Sequence, residues 1–201
     1  MVSSAYSGSL SRLVQCNWWR RVWIIQEMCL ARDLLLFWGA EEIRWANITL
    51  AVTNLQDPNL AHHALVTTWT FEPMSRLSAI RDRRCYATSF MGTMHTARTF
   101  DCSDERDRIY GVLGLGCAED RWASDPDGRL LADAIIPDYT ESTEGVYRKF
   151  AILALQQNLV EDILLAVQHG MQIKTWELGD MPSWTPRWNI PLFNASHSII
   201  S

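Results

Sequence analysis

The stretch NWWRRVWIIQEMCLAR, residues 17–32, decides how this chain folds. It sets three tryptophans, two adjacent arginines and a lone Gln-Glu pair in an otherwise apolar run. Leu10, Leu13 and Val14, then Trp18, Val22, Ile25 and Cys29, recur at three- and four-residue spacing, the signature of an amphipathic helix. Asn17 interrupts the pattern, which predicts a short helix and then a longer one from about Trp18 to Ala31. On one helix, Arg20 and Glu27 lie two turns apart on nearly the same face, with α-carbons about 10 Å apart. Arg21 falls about 100° round from Arg20, and Gln26 about 120° to the other side. The charged groups therefore form no single solvated stripe, and the helix is expected to have protein on most sides. A carboxylate in that setting must be paired, because a buried unpaired charge is costly. Glu27 then has two readings. It is a catalytic acid or base, or a holder of a ligand hydroxyl; or it is half of a structural Arg–Glu pair, which imitates an active site.

Outward from this stretch, composition narrows the class. The 201 residues suit one large domain or two small ones, and 48 % hydrophobic with 20 % charged residues is ordinary for a globular protein. A net charge of −5 argues against a nucleic-acid binder working through a basic field. Arg20-Arg21 and Arg81 to Arg84 are too short and interrupted to change that. No apolar run approaches the roughly 20 residues that span a bilayer, and the start lacks the layout of a signal peptide. A cytoplasmic protein is expected. The five cysteines, Cys16, Cys29, Cys85, Cys102 and Cys117, form no C-x-x-C pair and fit neither a disulfide framework nor a zinc site. Ten tryptophans are dispersed along the chain, which points to core packing or one extended interface.

A pass along the chain gives a mixed α/β reading, predominantly helical with a few short strands. Leu34 to Trp38, closed by Gly39, reads as a buried strand, and Glu42 to Trp45 as a second, followed by a helix through Leu50 and Leu55. Pro73 suits the first turn of a helix carrying Met74, Leu77 and Ile80. Ser89 to Thr99 is read as helical. Ser103-Asp104 offers a cap for a helix carrying Ile109 and Leu113. After a polar loop, Ala134 to Ile136 reads as extended, and Glu141 and Glu144 begin a helix facing inward through Tyr147, Phe150, Ala151, Ala154 and Leu155. Ile163 to Val167 reads as a strand. Three prolines in MPSWTPRWNIPLF, 181–193, exclude a regular helix.

Most candidate chemistry falls away on spacing. Gly111, Gly114 and Gly116 have the wrong order for a dinucleotide fingerprint, and Gly116 is better read as a helix stop. His62-His63, His95, His169 and His197 lack ligand spacing, so no metal is expected. The acidic residues Asp101, Asp104, Glu105 and Asp107 fail the EF-hand pattern.

Four blocks remain. Arg21, Trp23, Gln26 and Glu27 match the Arg-x-Trp-x-x-Gln-Glu pattern that closes the fungal heterokaryon incompatibility (HET) domain, which the chain thus resembles. Three further stretches resemble the region downstream of that domain. They are 104–115, with Asp104, Arg106, Asp107 and Tyr110; then Pro137, Asp138 and Tyr139, with Val146-Tyr147 after them; then Pro182, Trp184, Pro186 and Trp188. The family commonly has Pro at Glu105 and Asp at Arg187, neither of them a site expected to carry chemistry.

The resemblance implies a protein of fungal self/non-self recognition and cell-death signalling. It also implies kinship with Toll/interleukin-receptor (TIR) domains, some of which hydrolyse NAD. NAD as a substrate and Glu27 as its catalytic residue follow by that analogy alone; the residues themselves indicate no cofactor. The family's earlier Gly-Tyr-x-Trp-Gly-like and Ile-Asp-x-x-Cys-Ile-Asn-Gln-like blocks are absent. Residues 1–45 are therefore expected to be the end of a HET, TIR-like domain, and 46–201 its downstream helical region. The expected function is a truncated HET-family protein without independent catalysis. It would work through protein partners, by self-association or with an incompatibility partner, and not through nucleic acid or membrane. A TIR-like NAD-cleaving enzyme completed by a missing segment, or an unrelated interaction module, are the alternatives. If helix 18–31 packs on missing strands, its tryptophans should leave an apolar patch and a marginally stable chain.

Overall fold

The structure is a computed structural model that describes residues 12–56, 72–82, 89–116, 131–167 and 181–190. Expectations for 62–70, 117–129, Cys85, Cys117, His62, His63, His169 and His197 lie outside the described residues. The chain is mostly helical. Helix α1 spans Trp23–Leu30, followed by β1 (Leu35–Trp38), β2 (Glu41–Arg44), α2 (Trp45–Gln56), α3 (Glu72–Asp82), α4 (Phe90–Ala97), α5 (Asp107–Gly116), α6 (Thr143–Gln156) and α7 (Val160–Ala166). Both strands belong to one antiparallel hairpin, with Leu35 opposite Arg44 and Trp38 opposite Glu41. Gly39 opens its two-residue turn with a φ of +64°, a left-handed conformation that favours glycine. The hairpin leads directly into α2, with the Trp45 N–H donating to Leu34 O at 3.0 Å.

Helix α5 is the centre. Every residue from Arg108 to Gly116 except Gly114 is buried, so it is enclosed on all sides rather than amphipathic. It packs against α1, α4 and α6, while α1 also rests on α3. Two glycines permit the closest approach. A Cβ at Gly111 would meet Val22 Cγ1 at 3.3 Å, and one at Gly114 would meet the Gln26 carboxamide carbon at 2.7 Å. One hydrophobic cluster runs from Leu13 to Trp188, through residues on both sides of position 45.

Local signals set several elements as expected. Ser89 Oγ accepts from Gly92 N and Ser142 Oγ from Gly145 N, so both serines cap helices. Met74, Leu77 and Ile80 are buried along α3, behind Pro73 in its first turn.

Six expectations are corrected. The 18–31 helix is two pieces: a 3-10 turn over Asn17–Arg20 and then α1. Arg21 between them is extended because Asp101 pairs with this segment, Asp101 N donating to Arg20 O at 2.5 Å and Val22 N to Asp101 O at 2.8 Å. The 34–38 strand is half-exposed rather than buried, since a two-stranded hairpin leaves one face in water. Ala134 ends a short helical turn instead of opening an extended piece, and residues 163–167, read as a strand, fall mainly in α7. The 104–115 helix starts only at Asp107, because Asp104 closes a separate turn by accepting from Arg106 N at 3.0 Å. Finally, α1 needs no missing strands to cover it: α3 and α5 of this chain bury Ile24, Ile25, Met28 and Cys29. Arg81 of α3 also closes its C-terminus, donating to the carbonyls of Met28, Ala31 and Arg32.

Candidate functional site

The sequence blocks meet at one carboxylate. Asp107, in the first turn of α5, accepts from the Trp23 indole N–H through Oδ2 at 3.0 Å and from the Tyr139 hydroxyl through Oδ1 at 2.7 Å. One side chain thus ties together the 21–27, 104–115 and 137–139 blocks. Two turns further along α5, the Gly114 N–H donates to Gln26 Oε1 at 3.0 Å. That glycine is where the Gln26 amide fills the space of a Cβ. Trp23 and Gln26 therefore read opposite ends of α5.

The 137–139 loop is clamped from the other side. Arg106 grips Asp104 through Nε (2.9 Å) and Nη2 (2.6 Å) and gives its Nη1 to the carbonyls of Tyr139 (2.5 Å) and Glu141 (2.8 Å). The Tyr110 hydroxyl donates to Asp138 O at 3.1 Å and accepts from Asp138 N at 3.2 Å. Asp138 Oδ1 in turn accepts from the Thr140 N–H and hydroxyl. These bonds set the charges. The Arg106 guanidinium holds Asp104 below the usual carboxylate range, and the Thr140 donors do the same for Asp138. Partial burial, with Asp107 holding the phenol's proton, pushes Tyr139 up to about 12. Tyr147 anchors the 104–107 turn from α6, its hydroxyl donating to Glu105 O at 2.8 Å. Pro137 is exposed at the head of this loop.

The fourth block docks elsewhere on the same core. Trp188 is fully buried, edge-on to Phe150 of α6 with ring centroids 5.4 Å apart. Arg98, at the end of α4, lies over it at 4.4 Å and donates to Ala166 O (2.9 Å) and Ile190 O (3.4 Å), tying α7 and the 181–190 loop together. Pro186 is buried, Pro182 half-buried and Trp184 partly exposed. Arg108 supports this corner from α5, donating to the carbonyls of Ala97, Arg98 and Phe100 at the C-terminus of α4 and to Glu105 Oε2 at 2.7 Å. Burial, with Arg108 nearby, lowers Arg98 to about 10, still charged at neutral pH. Burial and Arg98 press His95 down to about 4, and its ring faces Trp188 at 5.8 Å. Sequence reasoning missed Arg98, Arg108 and His95. Nothing in the local pattern signals that Arg98 will reach two carbonyls and Arg108 three.

Glu27 and Arg21 stand apart. Both are exposed, and neither has an ion pair or side-chain hydrogen bond among the described residues. The expectation that Glu27 is buried and must be paired is thus corrected: it is exposed on a helix that is otherwise largely covered, and the Arg20–Glu27 pair does not form. Arg21 contributes only its backbone, in the bridge to Asp101. Chemically, the cluster is built for holding. The oxygens of Asp104 and Asp107 are engaged, and burial pushes the Cys102 thiol up to about 11, away from a nucleophilic thiolate. Cys16, Cys29 and Cys102 are thiols. Among the described residues no group of three or more metal-ligating side chains occurs, and no helix is long and apolar enough to cross a membrane.

The chain is 26 % identical to heterokaryon incompatibility protein 6, OR allele, of Neurospora crassa, over 218 aligned residues that cover 90 % of this chain and 29 % of that protein. It thus spans less than a third of the relative's length. This distant likeness supports kinship with the fungal heterokaryon incompatibility family. No family model and no solved structure matches the chain.

Proposed function

We propose that this chain is the scaffold portion of a heterokaryon incompatibility protein, working in fungal self/non-self recognition and cell death through protein contacts. The observation that carries the reading is the Trp23–Asp107–Tyr139 bridge, which joins three separated sequence blocks of the HET pattern at one carboxylate. A likeness confined to loose motifs has no reason to converge this way. The 26 % identity along nine-tenths of the chain supports the same family. In this reading Glu27 is a solvated edge residue, cleavage of NAD is not performed by these residues alone, and the protein acts in the cytoplasm.

Two arms test it. Alanine at Trp23 and Asp107, introduced at the native locus, should make incompatible cell fusions survive; rejection that persists in every pairing would remove the HET role. The purified chain, incubated with NAD, should release no nicotinamide. Turnover that Glu27→Gln abolishes would instead establish the TIR-like enzyme.

A further inference from the structure

The corner where α4 meets the 181–190 loop gathers polar atoms that nothing satisfies. Among the described residues five buried side-chain polar atoms have no hydrogen-bond partner, and four of them belong to this corner: His95 Nδ1, Arg98 Nε, Thr185 Oγ1 and Trp188 Nε1. Arg98, Thr185 and Trp188 are only 2 %, 4 % and 0 % exposed. Geometry makes them neighbours. The Trp188 ring lies 4.4 Å from the Arg98 guanidinium carbon and 5.8 Å from the His95 ring. His95 stands one helical turn before Arg98, and Thr185 three residues before Trp188 in the same loop. The Ala166 and Ile190 carbonyls engage the Nη atoms of Arg98, which leaves its Nε–H.

Unsatisfied buried donors are rare and call for a partner. Charge decides which kind. Arg98 stays cationic at neutral pH, no carboxylate pairs with it among the described residues, and Arg108 adds like charge. Water would satisfy the N–H groups but leave a buried cation uncompensated, which is costly. The Arg98 Nε and Trp188 Nε1 groups can only donate, and a threonine hydroxyl or an imidazole Nδ1–H can donate too. We infer that this corner binds one small monovalent anion of the chloride class, held by the Arg98 Nε–H and the Trp188 indole N–H, with Thr185 and His95 completing its donors. Enclosure sets the size. All four atoms are shielded from solvent, so sulfate, phosphate or a peptide carboxylate would have to unseat the loop.

Thermal melts of the 201-residue chain at pH 7.5, in sodium chloride against sodium gluconate of equal ionic strength, test this. An anion bound only by the folded state raises the melting temperature with its concentration. At about 0.3 M the chloride sample should melt about 5 °C higher, and the rise should saturate. Excluded, strongly hydrated anions stabilise proteins generally, so a non-specific salt effect would favour gluconate instead. Trp188→Phe keeps the ring against Phe150 and deletes one donor; Thr185→Val keeps the shape and deletes another. Each should raise the half-saturating chloride concentration about tenfold. A parent that melts alike in both salts, or higher in gluconate, holds only water here and overturns the inference. So does a chloride effect that both variants retain in full, since the ion then binds elsewhere.

Discussion

At the scale of the residue, Asp107 matters because it accepts from two different blocks at once, and Gln26 because its amide lies where a side chain at Gly114 would stand. Trp23 and Gln26 were recognisable in the sequence as motif residues. Their partners lie more than eighty positions away, and nothing in the local pattern announces them. Glu27 reverses the expectation. The residue expected to need a partner is exposed, because α3 and α5 cover the face of α1 that carries Ile24, Ile25, Met28 and Cys29. The opposite holds for His95. Its Nδ1 is buried with no partner among the described residues, beside the Arg98 cation, so the imidazole is kept neutral. Its affinity for protons therefore falls on folding, from the usual 6.5 to about 4. Between those values the unfolded chain binds a proton that the folded chain does not, so stability is full above pH 6.5 and is lost as pH falls toward 4. After screening, the loss is on the order of 1–2 kcal/mol. Asp104 and Asp138 act in a lower window, below their ordinary 3.8. Thermal melts at pH 7.5 and 5 should show the drop, and His95→Phe should flatten it; an equal drop in that variant would assign the loss elsewhere.

At the scale of the element, punctuation was legible and long-range pairing was not. Ser89, Ser142, Pro73 and Gly39 mark their boundaries because each acts on the backbone beside it. The break at Arg21 is imposed by Asp101, from across the molecule, and local periodicity runs straight through it. The five apolar-rich residues 163–167 fit a strand or a helix equally, since so short a run has no decisive period. What decides is the preceding turn. Asn158 adopts φ +64°, with Leu159 N bonding to Ala154 O and Asn158 N to Leu155 O, a Schellman motif that ends α6 and releases α7. Glycine meets that conformation without the Cβ cost. Asn158→Gly should therefore raise stability by about 0.5 kcal/mol, and Asn158→Ala lower it by about 1 kcal/mol. Urea unfolding reads both, and an order of Ala above Gly would refute the role given to this turn.

At the scale of the molecule, one core joins the two expected regions. The end of the HET-like pattern, through α1, is buried by the downstream helices α3 and α5, so its tryptophans are largely enclosed within this chain. Fold class was legible because helical periodicity is local; the site was legible as a family pattern but not as a geometry. The central claim is that separated blocks form one interlocked unit through the Asp107 carboxylate. A double-mutant cycle on Trp23→Phe and Asp107→Ala, measured by urea unfolding, tests it most directly. Each substitution should cost about 1–2 kcal/mol, with a coupling of about 0.5–1.5 kcal/mol between them. Strict additivity, within about 0.3 kcal/mol, would contradict the bridge.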